Sequence, residues 1–381
     1  MAYFDQAATT YPKPECVYSA MDSFNRTCGG SAGRGAHDRA QSAAAIIADT
    51  RKRLQSVLQC PSKQVVFQPT ATIALNLIIQ GVINAGAVNI YITPFEHNAV
   101  TRVLHPYLDA GRIKLHQLSV TDSFEYDIVA IQNQFAANAP DFVIVSHVSN
   151  TIGLIAPAED IFYCAKKYSA ITLLDMAQSA GLISCNVGLE TIDYAVFAGH
   201  KTLLGPTGIS GFVMKPNLKL EPILFGGTGY ESASPTMPTS VPERFEIGTI
   251  NAGGIAGLNA ALKWIEEIGI ENIRAVEEEK RQRLLSILAS YDFIRVVGVS
   301  SSAKYAGIVS CLIDGISSDS AGSLLSELGI AVRTGLHCAP YAHKFLHTFP
   351  AGTIRFSVNY FTSDDDFREL DEALQEIEAN L

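Results

Sequence analysis

Short, uninterrupted apolar runs, each followed by a helical pattern, are the feature that most limits how this chain can fold. Runs such as VVF, VIV and YAVFA do not alternate apolar with polar residues, which is typical of strands covered on both faces. Their repeated alternation with helical patterns predicts an α/β fold with a mostly parallel central sheet flanked by helices. The predicted strands cover residues 65–70, 88–95, 113–120, 142–150, 170–178, 194–201 and 208–215.

The character of the sequence changes after residue 250. Two long helical patterns are followed by the runs FIRVVGV, GIVSCLID, IAVRTGL and TIRFSVNY, which are predicted strands, and by a C-terminal helix near 364–379. This arrangement predicts a second, smaller α+β domain. We therefore predict an N-terminal segment at 1–15 that packs near the small domain, a large domain at 16–250 and a small domain at 251–381.

Composition excludes several classes of protein. Apolar residues make up 48% of the 381 residues, which is a globular composition, and the net charge of −10 with no basic run argues against nucleic-acid binding. The seven cysteines are scattered without a C-x-x-C pair, so neither a disulfide framework nor a zinc ribbon is expected. No signal peptide or membrane span is apparent, so we expect a cytoplasmic protein without a membrane partner.

Polar and reactive side chains follow several of the predicted strands. In open α/β sheets, ligands bind beyond the carboxyl ends of the strands. These ends therefore predict one ligand site near the edge of the sheet. The residues concerned are Thr70, Ala71, Thr72, His97, Asn150, Asp175, Gln178, His200 and Lys201.

Lys201 is the most informative of these residues. It ends an apolar strand inside FAGHKTLLGPTGISG, and a lysine in such a place is costly unless it is paired or chemically used. A lysine with a lowered pKa can form a covalent bond with an aldehyde. Asp175, at the end of ITLLD, is placed to hold a protonated pyridine nitrogen, as pyridoxal phosphate (PLP) requires. The structural alternatives are a surface lysine and an aspartate that caps a helix.

Other residues of the set suit the remaining parts of such a cofactor. Ala71 and Thr72 open a helix, whose N-terminus favours a phosphate, and His200 would add a further phosphate contact. His97 would stack on a flat ring. The structural alternatives are ordinary capping by threonine and a histidine satisfied within its loop.

The C-terminal third contributes three more kinds of candidate. Cys338, beside His337, is a candidate nucleophile, and Arg355, within a strand, is a candidate for binding a carboxylate through two hydrogen bonds. The structural alternatives are a buried thiol and an internal salt bridge. His343 and His347 are four residues apart, but no fourth ligand and no H-E-x-x-H pattern is present, so we expect no metal.

The order of these motifs resembles that of the cysteine desulfurases of the class V aminotransferase group, which are PLP enzymes of fold type I. The resemblance runs from YFDQAATTYPKP to GTIRFSVNYF, which is nearly the whole chain. The short span from Arg333 to Arg355 and the RGAH run at 34–37 are similar to the group II branch, whose cysteine lies on a compact loop. The most specific pieces are FEHNAV, SHVSNTIGLIAP, LLDMAQSAG, GHKTLLGPTGISG, RFEIGTINAGGIAGL and RTGLHCAP.

The resemblance implies a role for each residue of the predicted site. Asn150 and Arg355 would bind the substrate carboxylate, and Cys338 would attack the sulfur. Thr249 would reach the cofactor phosphate of a neighbouring subunit, which implies a homodimer. The implied cofactor contacts are Lys201 covalently, Asp175 at the pyridine nitrogen, Gln178 at the ring hydroxyl, His97 stacked on the ring, Asn150 beside it, and Ala71, Thr72 and His200 at the phosphate.

The implied reaction converts L-cysteine to L-alanine and leaves the sulfur on Cys338 as a persulfide, from which an acceptor protein would take it. Two positions depart from the group II pattern: Ala198 replaces a serine, and Leu336 replaces a histidine. Other activities stay open. A selenocysteine lyase or cysteine-sulfinate desulfinase would use the same site, a class V aminotransferase or epimerase would share the fold, and a non-enzymatic binding protein would keep the fold alone.

Overall fold

A computed structural model describes residues 1–31, 35 and 37–380. Arg34 and Ala36 of the RGAH run therefore lie outside the described residues. No helix among the described residues is both long and apolar enough to cross a membrane. The helices in that part of the chain are α1 (Glu15–Thr27), α2 (Asp38–Val57), α3 (Ala71–Asn84), α4 (Asn98–Asp109), α5 (Ile128–Ala137), α6 (Ala158–Lys166), α7 (Ala252–Ile268), α8 (Ile270–Ala289), α9 (Ser318–Glu327), α10 (Pro340–Phe345) and α11 (Asp364–Glu378).

The strands of the described residues fall into three sheets. Seven strands form the large sheet, in the order β2-β8-β7-β6-β5-β3-β4, four form a second sheet in the order β12-β13-β10-β9, and β1 pairs with β11. Their bounds are β1 (Ala2–Tyr3), β2 (Gln64–Gln68), β3 (Asn89–Ile92), β4 (Lys114–Gln117), β5 (Phe142–Ser146), β6 (Ile171–Asp175), β7 (Tyr194–Ala198), β8 (Ser210–Met214), β9 (Ile294–Val297), β10 (Ile308–Ile313), β11 (Ile330–Ala331), β12 (Arg333–Gly335) and β13 (Thr353–Ser357).

The large sheet confirms the predicted α/β architecture. Strands β4, β3, β5, β6 and β7 pair in parallel, and only β8 runs against its neighbours β7 and β2. One apolar cluster covers each face: Val143 and Val145 of β5 join one, whereas Phe142 and Ile144 join the other. Because both faces are buried, the strands read as continuous apolar runs, as the sequence pattern indicated.

The parallel arrangement brings the carboxyl ends of β2, β3, β5, β6 and β7 to one edge of the sheet. At this edge two helices begin with side-chain caps that hold the chain as it leaves a strand. Thr70 Oγ1 accepts a hydrogen bond from the backbone N–H of Ile73 (3.2 Å) at the start of α3, and His97 caps α4 in the same way.

The C-terminal antiparallel sheet packs with α8, α9 and α11 around a separate apolar cluster. The N-terminus belongs to the same cluster, since the Phe4 ring lies edge-on to Phe356 at 6.1 Å and to Phe367 at 5.7 Å. Helix α7, which follows the predicted boundary at residue 250, packs against α1 and α2 within the apolar cluster of the large sheet. The division into domains stays a prediction.

Two details of the fold differ from the sequence-based expectation. The run IAVRTGL, expected as one strand, is split: Ile330 and Ala331 pair with the N-terminal strand β1, whereas Arg333 to Gly335 pair with β13. The split occurs because the distant N-terminus supplies a parallel partner for the first half. All seven predicted strands of the large sheet also extend one to four residues beyond their observed carboxyl ends.

Gly199 is a point of close backbone approach directly before His200 and Lys201. A Cβ at this position would lie 2.3 Å from the carbonyl oxygen of Ile209. A backbone atom cannot move aside as a flexible side chain can, so even alanine would force β7 and the following turn apart. The glycine therefore sets how closely the turn carrying Lys201 packs on the chain leading into β8.

We predict that Gly199→Ala lowers the free energy of unfolding by about 1–3 kcal/mol. Urea unfolding followed by circular dichroism measures this effect. Gly227→Ala is the matched control, because a Cβ there meets no atom within 4 Å, and its unfolding midpoint should stay close to wild type. Equal stability of the two variants would contradict the proposed close contact.

Candidate active site

A cavity of about 220 Å³ lies at the carboxyl edge of the large sheet. The strand ends converge there as the parallel topology requires. All of the predicted site residues line this cavity except Cys338, Thr249 and Arg355. The lining residues are Thr70, Ala71, Thr72, Leu75, His97, Ala99, Ser146, Val148, Asn150, Asp175, Ala177, Gln178, Ala198, His200 and Lys201.

Lys201 brings an amine into this enclosed space. Burial lowers the pKa of Lys201 from 10.5 to about 8, although the carboxylate of Asp175 acts in the opposite direction. No hydrogen-bond partner for Lys201 Nζ occurs in the described part of the chain. The backbone is held more firmly, because Thr10 Oγ1 donates a hydrogen bond to the Lys201 carbonyl oxygen (2.8 Å). An amine with a lowered pKa and a fixed backbone suits covalent bonding to an aldehyde.

Asp175 ends β6 and is buried on the cavity wall. Its Oδ1 accepts a hydrogen bond from the backbone N–H of Ala177 (2.9 Å). Burial raises the pKa of Asp175, while this hydrogen bond and the charge of Lys201 act to lower it. A buried carboxylate with few partners gains from a cation, so the site favours a ligand that presents a protonated nitrogen here.

The start of α3 offers an anion site within the same cavity. The backbone N–H groups of Ala71 and Thr72 lie in the first turn, where a helix has no acceptors of its own. His200 lines the same cavity, and its Nδ1 lies 3.1 Å from Thr9 Oγ1. Burial, followed by the charges of Lys201 and Lys13, lowers the pKa of His200 to about 4. A neutral His200 is thus available as a hydrogen-bond partner for an anion.

His97 joins the cavity wall as the cap of α4. Its Nδ1 accepts a hydrogen bond from the backbone N–H of Ala99 (3.0 Å), which leaves the proton of the neutral ring on Nε2. Burial and the charge of Lys201 lower the pKa of His97 to about 4. The ring is therefore neutral near pH 7.

Sequence reasoning missed Glu96, which is fully buried beside this site. Its carboxylate accepts hydrogen bonds from the hydroxyl groups of Thr93 (2.8 Å) and Ser146 (2.8 Å) and from the backbone N–H of Ser146 (2.7 Å). Burial raises the pKa of Glu96 to about 7, and the charge of Asp175 acts in the same direction. Glu96 thus connects the end of β5 to the turn that carries His97. A charged residue directly after a buried strand was the signal for it.

The N-terminal segment was also missed as part of the site. The carbonyl oxygen of His200 accepts hydrogen bonds from Thr10 N (3.1 Å), Thr9 Oγ1 (3.2 Å) and Lys13 Nζ (3.2 Å). Gln178 Nε2 donates to the carbonyl oxygen of Ala7 (2.8 Å). Together with the bond from Thr10 to the Lys201 carbonyl oxygen, residues 6–13 therefore hold Gln178, His200 and Lys201 in place. No local sequence pattern reveals such contacts between distant segments.

Arg355 and Asn150 form a polar junction next to the cavity. Arg355 is 2% exposed; it donates to the carbonyl oxygen of Asn150 (2.9 Å) and pairs with Asp5 (3.0 Å). The internal salt bridge considered for Arg355 is thus present. Two buried atoms at this junction, Asn150 Oδ1 and Arg355 Nε, still lack hydrogen-bond partners. Buried polar atoms without partners are expected where a ligand will bind.

Cys338 is exposed and lies on the turn between β12 and α10. His337 and Cys338 both have positive φ angles, 47° and 57°, which is a costly conformation for residues other than glycine. Two contacts hold the turn: Asn150 Nδ2 donates to the His337 carbonyl oxygen (2.7 Å), and the Asn98 N–H donates to that of Cys338 (2.6 Å). The thiol-bearing turn is therefore fixed to two segments of the cavity wall.

Thr249 and the two C-terminal histidines lie elsewhere. Thr249 is exposed and lines a different cavity, together with Arg51, Gly227 and Glu246. Helix α10 ends before His347, and His343 is buried with its Nδ1 2.7 Å from Thr348 Oγ1. Among the described residues, no group of three or more histidine, cysteine, aspartate or glutamate side chains is placed to hold a metal ion.

Comparison with known proteins identifies the family of this chain. The profile of the family described as aminotransferase class-V matches residues 2–370. The chain belongs to the class-V aminotransferase family. Its relatives include a "probable cysteine desulfurase" of Aeropyrum pernix, 32% identical over 99% of this chain and 94% of the relative. Another, from Pyrococcus abyssi, has the same description and is 30% identical over 100% of this chain and 94% of that protein.

A solved structure of similar shape extends the comparison. The apo cysteine desulfurase from Thermococcus onnurineus NA1 superposes with a TM-score of 0.90 at 29% identity, and the match covers 100% of this chain and 95% of that one. The expected fold, the fold type I of PLP-dependent transferases, is thereby confirmed.

PLP is the cofactor of the class-V aminotransferase family, and the cavity residues fit it. A buried amine, a buried carboxylate and a helix N-terminus line one cavity, and they match the aldehyde, the pyridine nitrogen and the phosphate of PLP. Asn150 Oδ1, which belongs to a residue on the wall of the same cavity, is buried without a hydrogen-bond partner and can accept a hydrogen bond from a bound ligand.

The lowered pKa of Lys201 gives a pH prediction. The amine is neutral and nucleophilic only above its pKa of about 8. We therefore expect covalent attachment of PLP to the apoprotein to accelerate as the pH rises through about 8, as measured by stopped-flow absorbance. Asp175→Asn should shift this midpoint downward, because the carboxylate acts to raise the pKa of Lys201. A wild-type midpoint near 10.5, the ordinary value, would contradict the burial of the amine.

Proposed function

We propose that this protein is a PLP-dependent cysteine desulfurase that transfers the sulfur of L-cysteine to Cys338. The observation that carries the proposal is the pairing of two features. A buried amine faces a buried carboxylate in one cavity, and Asn150 and Asn98 hold the backbone of the turn that carries the exposed Cys338 against the segments that line this cavity. The amine and the carboxylate suit PLP chemistry in general, whereas the thiol is what separates a desulfurase from an aminotransferase.

Lys201, Asp175 and His97 would hold the cofactor, with Ala71, Thr72 and His200 at its phosphate. When bound, PLP supplies an electron sink that allows bonds at the α and β carbons of an amino acid to break. Lys201 would exchange a proton with the α carbon, because its pKa of about 8 lets it both accept and donate near neutral pH. Asp175 would keep the negative charge that a protonated ring nitrogen needs.

Arg355 and Asn150 would hold the substrate carboxylate. Arg355 Nε and Asn150 Oδ1 are the buried atoms without partners at this junction. Arg355 Nε can donate to a carboxylate oxygen, and Asn150 Oδ1 can accept from the substrate amine or from water. Because Arg355 already pairs with Asp5, the guanidinium of Arg355 would bind the substrate carboxylate and the Asp5 carboxylate at the same time.

Cys338 would take the sulfur as a thiolate. A new S–S bond forms between Cys338 and the substrate sulfur while the C–S bond breaks, and its electron pair stays with the carbon skeleton. A proton delivered by Lys201 then completes alanine. The sulfur leaves as the outer atom of a persulfide, so the cysteine carbon is reduced and the sulfur oxidised without an external redox partner. A sulfur-acceptor protein would collect it.

We further propose a homodimer in which Thr249 reaches the cofactor phosphate of the neighbouring chain. The exposure of Thr249 and its absence from the cavity of its own chain support this role.

Selenium and sulfinate analogues of cysteine fit the same chemistry. The comparative turnover of L-cysteine and L-selenocysteine separates a desulfurase from a selenocysteine lyase. A cytoplasmic location is part of the same proposal.

We predict that Cys338→Ala keeps the visible absorbance of the bound cofactor but lowers alanine production from L-cysteine by about 10³-fold or more. The persulfide is measured as the mass of one added sulfur atom on the peptide that contains Cys338. Cys16→Ala is the matched control, because Cys16 is also exposed, and it should leave both readouts unchanged. Equal turnover with and without Cys338 would rule out the proposed sulfur transfer.

The dimer proposal is tested by mixing two inactive variants. Lys201→Ala and Thr249→Ala should each retain less PLP after dialysis than wild type. If Thr249 acts across the interface, mixed dimers contain one intact site and recover part of the bound PLP and of the activity. Failure of mixing to restore either readout, with mixed dimers demonstrated by mass spectrometry, would show that Thr249 does not act on the neighbouring site.

A further inference from the structure

A second polar site lies beside helix α8, outside the candidate active site. A surface groove of about 930 Å³ runs between α8 and residues 299–305. None of the residues that line it also line the cavity around Lys201. Arg274, Arg281 and Leu285 contribute to the wall formed by α8, and Val299, Lys304 and Tyr305 contribute to the opposite wall.

Arg281 is the unusual residue of this groove. It is 4% exposed, yet within the described residues it has neither a hydrogen bond nor an ion pair. Its Nε is fully buried without a partner. Its guanidinium stacks over the Tyr305 ring at 4.6 Å from the ring centre. Such stacking contacts one face of the guanidinium and leaves the N–H groups at its edge free to donate.

Two charged neighbours of Arg281, Arg274 and Glu278, form an ion pair with each other. Glu278, one turn earlier on α8, accepts from Arg274 Nη2 (3.0 Å) and from Gln282 Nε2 (2.7 Å). Arg274 also donates to the carbonyl oxygen of Tyr305. Glu271 lines the groove too, but ten residues of helix place it about 15 Å from Arg281 along the axis. Glu277, one turn before Arg281, faces Arg274 and accepts a hydrogen bond from the Gly307 N–H. No carboxylate of the described chain therefore forms an ion pair with Arg281, although the charge of Glu278 acts to raise its pKa.

A buried cation without a partner is costly, and an anion that binds in the groove would remove this cost. The flat edge of a guanidinium matches a carboxylate, which can accept two parallel hydrogen bonds from it. Lys304 adds positive charge to the groove, and Ile155, Ile183 and Val299 give it apolar walls. This combination suits a carboxylate carried on a partly apolar molecule.

We propose that the groove beside α8 binds a carboxylate group through Arg281. The carboxylate comes either from a small free acid or from an acidic side chain of a peptide segment. The two sources share the same recognition chemistry and are separated by experiment. The site goes beyond the sulfur-transfer reaction, since no residue of that reaction contributes to it.

The binding test uses isothermal titration calorimetry on the full-length holoprotein at constant ionic strength. The probes are succinate, a capped peptide with one glutamate among leucines and alanines, and the same peptide with glutamine. We expect succinate or the glutamate peptide to bind, the glutamine peptide to bind at least about tenfold more weakly than the glutamate peptide, and Arg281→Gln to lower affinity by about tenfold or more. Arg283→Gln is the matched control, because Arg283 is on the same helix but is exposed and paired with Asp364.

Binding of succinate identifies a small-acid site, and binding of the glutamate peptide alone identifies a peptide site. No binding of either probe by wild type, or equal binding by wild type and Arg281→Gln, would overturn the proposal. Thermal unfolding without probe is an independent readout. Because the variant removes an unpaired buried charge, Arg281→Gln should melt at or above the wild-type temperature. A lower melting temperature for Arg281→Gln, together with unchanged probe binding by the same variant, would show that Arg281 is purely structural.

Discussion

The burial of one amine at the carboxyl end of β7 determines how the rest of the site is arranged. Lys201 is held in an enclosed cavity where its charged form is disfavoured, and its pKa falls to about 8 as a result. Asp175 lies one strand away, at the end of β6. Burial also disfavours its charged form and raises the pKa of its carboxyl group. The opposite charges of the two groups each lower the free-energy cost of burying the other. A cofactor with an aldehyde and a basic ring nitrogen would bond to the amine and pair with the carboxylate.

The parallel sheet explains why these two groups meet. Residues Leu173 to Asp175 of β6 pair in register with Tyr194 to Val196 of β7, so the two chains leave the sheet side by side. The N-terminal segment also holds the turn that follows β7, because it donates three hydrogen bonds to the His200 carbonyl oxygen. It also anchors Arg355 through Asp5. The first residues of the chain thus join the turn that carries His200 and Lys201 to the strand that carries Arg355.

Local patterns were sufficient to predict the large sheet, its seven strands and the residues at the strand ends. Lys201, Asp175 and His97 could be placed at one edge because a parallel sheet brings carboxyl ends together. Glu96 was missed although its position after β3 was visible, because its partner Ser146 lies on another strand. The division of IAVRTGL between two sheets depends on pairing with residues 2–3, a contact that no local pattern contains.

The contacts that hold the turn carrying Cys338 could not be predicted from local sequence patterns either. The resemblance to the group II branch implied a compact loop for Cys338. What the sequence did not indicate is how the turn is held: by Asn150 and Asn98, which reach it from two separate strand ends. Thr249 is a further case, since its predicted role depends on a second chain. The roles of these residues remain proposals, whereas the fold and the family are established.

Trapping the cofactor bond chemically tests the central claim most directly. Incubating the protein with PLP, reducing it with borohydride and mapping the peptides by mass spectrometry locates the lysine that bonds to the aldehyde. The account predicts a single phosphopyridoxyl group on Lys201, although burial also lowers the pKa of Lys13 and of Lys63 to about 8. A modification found on another lysine, or none at all after reconstitution, would contradict it.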